Sequence, residues 1–172
     1  MITLEQLKAV MPHAGSKAAL YVDVLNDAMD IFNINTPQRQ AAFLAQVAHE
    51  SAEFRYVEEI ASGKAYEGRA DLGNTEPGDG VRFKGRGLIQ ITGRANYASC
   101  GGALGLDLLA DPELLESPQN AARSAAWFWM THGCNELADA DNFRKITLRI
   151  NGGLNGYVDR LAYWELAKDA LA

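Results

Sequence analysis

His49 and Glu50 stand side by side in the stretch AQVAHESAEF, where an apolar run that reads as a buried helix reaches its end. Desolvation penalises charge in such a place. Three kinds of chemistry compete for the pair: half of a zinc site, a catalytic acid, or an ordinary helix terminus. A zinc helix needs HExxH, which points two imidazoles at one ion. Here Ser51, Ala52 and Glu53 follow, and His13 and His132 lack a matching context. No metal or other cofactor is therefore expected, and His49 reads as a residue that packs against or orients its neighbours. Gly80 and Gly85 have the spacing of a phosphate cradle, but Arg86 and Gly87 stand where Lys and Ser/Thr are required.

Carboxylates offer more. Glu50, Glu53, Glu58, Glu59 and Glu67 crowd one region. Hydrolysis of a glycosidic bond needs two such groups, one protonated to donate to the leaving oxygen and one ionised to activate water or attack. Glu50 suits the acid, because apolar neighbours such as Phe43, Val47 and Phe54 favour a protonated carboxyl. At about 100° per residue Glu50 and Glu53 share a helix face, whereas Glu59 faces away if the helix continues. For Glu59 to face Glu50 the chain must turn, most simply by leaving the helix near Phe54 to Val57. Periodicity alone does not choose the second carboxylate.

The elements that must position these groups are marked by their caps. Thr3 with Gln6 opens LEQLKAVM, and Ser16 opens KAALYVDVLNDAMDIF. Thr36 with Pro37 opens PQRQAAFLAQVAHE, Asp111 with Pro112 opens PELL, and Ser117 with Pro118 opens PQNAARSAAWFWMTH, which Gly133 stops. Two further helices are predicted, from Asp141 to Arg149 and from about Tyr157 to Leu171, the last with Leu161, Trp164 and Ala167 along one stripe. Trp127, Phe128 and Trp129 read as core within their helix. Ala61 to Gly93 is glycine-rich and keeps no helical period, and RFKGRGLIQIT within it has strand character, half of a small hairpin. Loops of this length usually carry function.

Composition sets the outer bounds. With 172 residues, 48% apolar and 22% charged, the chain is expected to form one domain over 1–172. Cys100 and Cys134 read as small buried residues of a reducing cytoplasm, with a bridge between them left open. A net charge of −6 argues against a nucleic-acid partner. The apolar runs are too short to span a bilayer, and the N-terminus has no basic flank before an apolar segment, so neither membrane insertion nor a signal peptide is expected. Arg69, Arg82, Lys84, Arg86 and Arg94 make the long loop locally basic, either to meet anionic groups of a partner or to balance nearby glutamates, Asp71 and Asp79.

Three spaced motifs, AFLAQVAHESAEF followed by Glu59, GRGLIQITGRANY, and INGGLNG with Arg160 downstream, resemble glycoside hydrolase family 19. That family holds plant and bacterial chitinases and the lysozyme-like endolysins of bacteriophages. The resemblance runs from about Thr36 onward. It implies a mainly α, lysozyme-like, two-lobed fold with a small β-hairpin and loop region lining a sugar cleft. It also implies an inverting mechanism with the carboxyls roughly 6.5–9.5 Å apart.

By the same resemblance Glu50 matches the acid, Glu59 the base, and Thr92 the residue that holds the attacking water. Gln90 and Asn96 match sugar-binding residues, and Asn151 and Arg160 match groups that support the substrate and the carboxylates, where a guanidinium keeps a base ionised. Tyr97, with Tyr66 and Tyr157, falls near the implied cleft. Two departures stand out. Ala52 and Glu53 replace glycines that often follow the His-Glu-Ser, and EEIASGKAYEGR replaces an Asn-rich turn, which leaves Glu58 and Glu67 as rival bases. The expected protein is a monomeric endolysin that cleaves the β-1,4 bond between N-acetylmuramic acid and N-acetylglucosamine in peptidoglycan. It would be made in a host cytoplasm and reach the wall through a holin-type permeabilising protein. The alternatives are a chitinase and a non-catalytic wall-binding protein.

Overall fold

The computed structural model describes residues 1–172. Nine α-helices carry the chain: α1 (Leu4–Val10), α2 (Lys17–Ile31), α3 (Pro37–Glu50), α4 (Asp79–Arg82), α5 (Arg94–Leu104), α6 (Pro118–Thr131), α7 (Cys134–Asp139), α8 (Phe143–Asn151) and α9 (Tyr157–Leu171). Short 3-10 turns occupy Lys64–Tyr66, Ala70–Leu72 and Pro112–Glu116. No helix is long and apolar enough to cross a membrane.

Side-chain caps fix several starts. Thr3 and Gln6 form a reciprocal capping box at α1, Thr36 accepts from Arg39 N at α3, and Ser117 accepts from Asn120 N at α6. Each such cap stabilises its helix by about 1 kcal/mol. Ser16 behaves differently: its backbone is already helical and its side chain makes no cap.

α3 is the central element. Every residue from Ala41 to Ala48 is buried, the polar Gln46 among them, as in a helix enclosed by others on all sides. It packs most heavily on α9, and also on α1 and α7, while α2 lies against α6. Phe43 meets Trp129 edge to face with centroids 5.4 Å apart, and the buried Trp129 indole donates to Asn135 Oδ1. Phe143 of α8 stacks on Trp164 of α9. These contacts belong to one cluster of 32 buried apolar residues.

A second, smaller cluster holds Phe83, Ile91, Tyr97, Cys100, Leu108 and Leu115. The ribbon 83–93 ties the two lobes, since Leu88 and Ile89 sit in the large cluster and Phe83 and Ile91 in the small one. The expected hairpin reduces to isolated antiparallel bridges, Glu58 with Arg86 and Arg86 with Ile91, and no sheet forms. Cys100 and Cys134 are both free and buried, and burial pushes each thiol up to about 12.

Candidate active site

α3 ends at Glu50, and the chain reverses at once. Ser51 Oγ donates to Val47 O and accepts from Phe54 N. Ala52, Glu53 and Phe54 then take φ of 47°, 54° and 67°, three successive left-handed residues without a glycine. Each costs roughly 1–2 kcal/mol. The turn therefore begins immediately after Glu50, ahead of the Phe54 to Val57 stretch where the chain was expected to leave the helix, and Glu53 leaves the face it was expected to share with Glu50.

The reversal carries the chain to Glu59, whose N–H donates to Gly85 O at 2.9 Å. Glu50, Glu59 and Gln90 line one open cleft of about 300 Å³, with Tyr56, Glu58, Ile60 and Ala61. Gly85 makes room there: a Cβ on it would stand 2.5 Å from Gln90 Oε1. One backbone position thus holds Glu59 through its carbonyl and admits Gln90 through its missing side chain.

The carboxylates have different surroundings. Tyr66 donates its hydroxyl to Glu59 Oε2 at 2.9 Å, while Glu59 Oε1 is buried with no hydrogen-bond partner. A buried, unpaired carboxylate oxygen is costly and is relieved by a donor such as water or a hydroxyl. Burial first, and then the bond to Glu59, hold the Tyr66 phenol above its ordinary range. Glu58 also reaches the cleft, but Lys84 Nζ lies 2.6 Å from its Oε1. Glu67 stands apart, because its two oxygens accept from the backbone N–H groups of Gly78 and Gly80.

Phe43, Val47 and Phe54 are buried in the core, and Tyr56, Ile60 and Ala61 line the cleft with Glu50. A charge joins them: Glu50 Oε1 meets Arg160 Nη2 at 2.6 Å. Arg160, 1% exposed, also donates to Gln46 Oε1 and Asn155 O, and Gln46 Nε2 donates to Thr147 Oγ1. Of the two carboxylates that the resemblance expected it to support, the guanidinium pairs with Glu50. His49 points the other way: its Nδ1 lies 2.6 Å from Asp159 Oδ2, and its ring fills the space a side chain on Gly156 would need. It is an orienting residue, as the sequence indicated.

Other expected residues lie elsewhere. Tyr97 is wholly buried in the small cluster, where its hydroxyl donates to Lys84 O and accepts from Arg86, so it cannot line the cleft. Its neighbour Asn96 is exposed and donates to Thr92 O at 2.8 Å, and neither Asn96 nor the half-buried Thr92 is among the cleft walls. Asn151 accepts from Asn155 N and closes the INGGLNG turn. The basic loop residues are engaged internally: Arg69 with Asp71, Lys84 with Glu58, Arg86 with Glu116, Arg94 with Asp79, and Arg82 with the carbonyls of Leu109 and Ala110. Sequence reasoning missed Gln46 and Thr147, although Gln46 sits one helical turn before Glu50. Tyr66 was seen only as an aromatic near the cleft.

Residues 32–143 match the family model described as chitinase class I, glycoside hydrolase family 19. A glycosyl hydrolase family 19 domain-containing protein of Haemophilus influenzae is 35% identical over 154 residues, 71% of this chain and 74% of that one. An endochitinase of Arabidopsis thaliana is 44% identical over 114 residues, 66% of this chain but 39% of the plant protein. The chain therefore spans about two fifths of that plant relative's length. Chitinase C from Streptomyces griseus superposes with a TM-score of 0.82 at 25% identity, over 99% of this chain and 76% of that one.

Proposed function

The chain belongs to glycoside hydrolase family 19, and we propose that it cleaves β-1,4 bonds of N-acetylhexosamine glycans by inversion, with Glu50 as acid and Glu59 as base. One observation carries the assignment: of the carboxylates lining the cleft, Glu59 keeps a buried oxygen with no partner. A water bound there gives its proton to Glu59 while its oxygen attacks the anomeric carbon. The bond to the leaving oxygen breaks, and Glu50 supplies that oxygen with a proton. Arg160 stabilises the Glu50 carboxylate that results. Gln90, on the cleft wall, hydrogen-bonds the sugar.

The substrate we propose is peptidoglycan. Ile60 supports this, because it lines the cleft and, 81% exposed, offers an apolar contact to a lactyl methyl group. Host lysis after release by a holin-type protein goes with that reading. Chitin is the second reading, favoured by the names of the plant and Streptomyces relatives.

Mass spectrometry of products from peptidoglycan and from soluble chitin oligomers separates the two. New N-acetylmuramic acid reducing ends support the first reading, and products from chitin alone support the second. Glu50→Gln and Glu59→Gln are each expected to lower turnover by about 10³-fold or more with glycan binding retained. Undiminished turnover in either variant removes that residue from its role, and binding without cleavage by the wild-type protein marks a wall-binding protein.

A further inference from the structure

The left-handed turn at Ala52–Phe54 has no glycine to relax it, so something outside the turn must hold it. The holder is visible. Glu53, 6% exposed, accepts from His13 N at 2.6 Å on Oε2 and from the Tyr163 hydroxyl at 2.7 Å on Oε1. His13 Nδ1 lies 3.1 Å from the same Oε1. Lys17 Nζ donates to Phe54 O at 2.8 Å, and the Phe54 ring stacks on Tyr21 with centroids 4.4 Å apart. Thus the segment joining α1 to α2, the first turns of α2, and α9 all grip the reversal.

Arg160 and Tyr163 lie three residues apart, on one face of α9. Arg160 holds Glu50 and Tyr163 holds Glu53, so a single helix fixes both ends of the step from helix to reversal. Glu53 lines a different cavity, with His13, Lys17, Arg55 and Tyr163, which shares no residue with the cleft of Glu50 and Glu59. It does not line the cleft in which the proposed acid and base meet.

We infer that Glu53 is a positioning residue for hydrolysis: its carboxylate, clamped by His13 and Tyr163, holds a glycine-free left-handed turn that brings Glu59 back beside Glu50. The inference rests on Glu50 and Glu59 being acid and base. Their separation is set by the path between them, and a displacement near 1 Å at a reacting group costs on the order of 100-fold.

The test compares Glu53→Ala with the double variant Ala52→Gly/Glu53→Gly on peptidoglycan or soluble chitin oligomers, whichever the wild-type protein cleaves. Glu53→Ala is expected to lower kcat by about 30- to 100-fold with KM within about twofold. Glycine enters the left-handed region without a clamp, so the double variant is expected to recover kcat to within about threefold of wild type. Wild-type kcat in Glu53→Ala, or equal loss in both variants, overturns the inference. Amide exchange at Glu53 and Tyr56, whose N–H groups bond to Ala48 O and Ser51 O, gives a readout independent of cleavage. It should quicken in Glu53→Ala and slow again in the glycine pair, and unchanged exchange in Glu53→Ala overturns the clamp. Glu50→Gln and Glu59→Gln in the same assay keep the two ideas apart. If they stay active, the assignment of acid and base fails. If they are inactive while Glu53→Ala is not, only the clamp fails. If Glu53→Ala does not fold, the glycine pair decides: a folded, active pair supports the clamp and an unfolded one overturns it.

Discussion

Arg160 reaches Glu50 from a helix more than a hundred residues downstream, and its Nη2 lies 2.6 Å from Glu50 Oε1. The other edges of the guanidinium are committed to Gln46 Oε1 and Asn155 O, so its plane is fixed before any substrate arrives. The pair joins α3 to α9, the two helices that pack most heavily on each other. Orientation of the proposed acid is therefore a property of the main core.

Arg160→Lys keeps the charge and loses the fork. A lysine cannot serve Glu50, Gln46 and Asn155 together. We expect kcat to fall about 10-fold or more, with a lower Tm because buried Gln46 loses a partner. Steady-state kinetics with thermal denaturation checks this, and wild-type kcat in that variant would separate Glu50 from Arg160.

The stereochemistry of the product tests the mechanism. With water activated by Glu59 from the face opposite Glu50, a β-linked glycan must first yield the α-anomer. Proton NMR during the first minutes of hydrolysis reads this directly, and an initial β-anomer would indicate a retaining pathway.

Tyr66→Phe removes the only hydrogen bond to Glu59 Oε2 while leaving the ring. Both oxygens of Glu59 are then unheld by the protein. We expect kcat to fall roughly 5- to 20-fold with KM little changed, as for a group that loses orientation and keeps its charge. An equal rise in KM would instead mean that the phenol contacts the sugar.

Asp79 provides a pH-dependent brace for the small lobe. The Arg94 guanidinium beside it, aided by backbone donors, holds its carboxyl below the usual carboxylate range. The folded form thus takes up this proton less readily than the unfolded chain. The stability it contributes is complete above about pH 4 and is lost as pH falls through the lower folded value. Asp79→Asn should lower Tm by roughly 5–10 °C at neutral pH, with the gap closing in strong acid. A gap constant from pH 7 to pH 2 would contradict this.

What the sequence made legible were features encoded locally. The capping residues at Thr36 and Ser117, and the stripe of Leu161, Trp164 and Ala167, fix α3, α6 and α9 within their own segments. α5 escaped notice because Gly101 and Gly102 interrupt its period and no side chain caps it. α7 is six residues long and follows the expected stop at Gly133 with no spacer.

The site was legible in part for the same reason. Glu50, Glu59 and Gln90 do meet at one cleft. Tyr97 was misplaced because adjacent residues on a helix are rotated by about 100°, so Asn96 and Tyr97 of α5 cannot both face outward. The early reversal at Ala52–Phe54 had no local signal, since three residues without special backbone freedom are held left-handed by His13, Lys17 and Tyr163 from distant parts of the chain.

The internal pairing of Arg69, Lys84, Arg86 and Arg94 bears on how the protein meets a polymer at long range. These charges are spent within the fold, and the chain carries a net −6. An anionic cell wall therefore repels the protein, and dissolved salt shortens the reach of that repulsion to about 10 Å at 0.1 M. Encounter with such a wall should quicken as ionic strength rises from very low values, whereas encounter with an uncharged chitin chain should hardly respond.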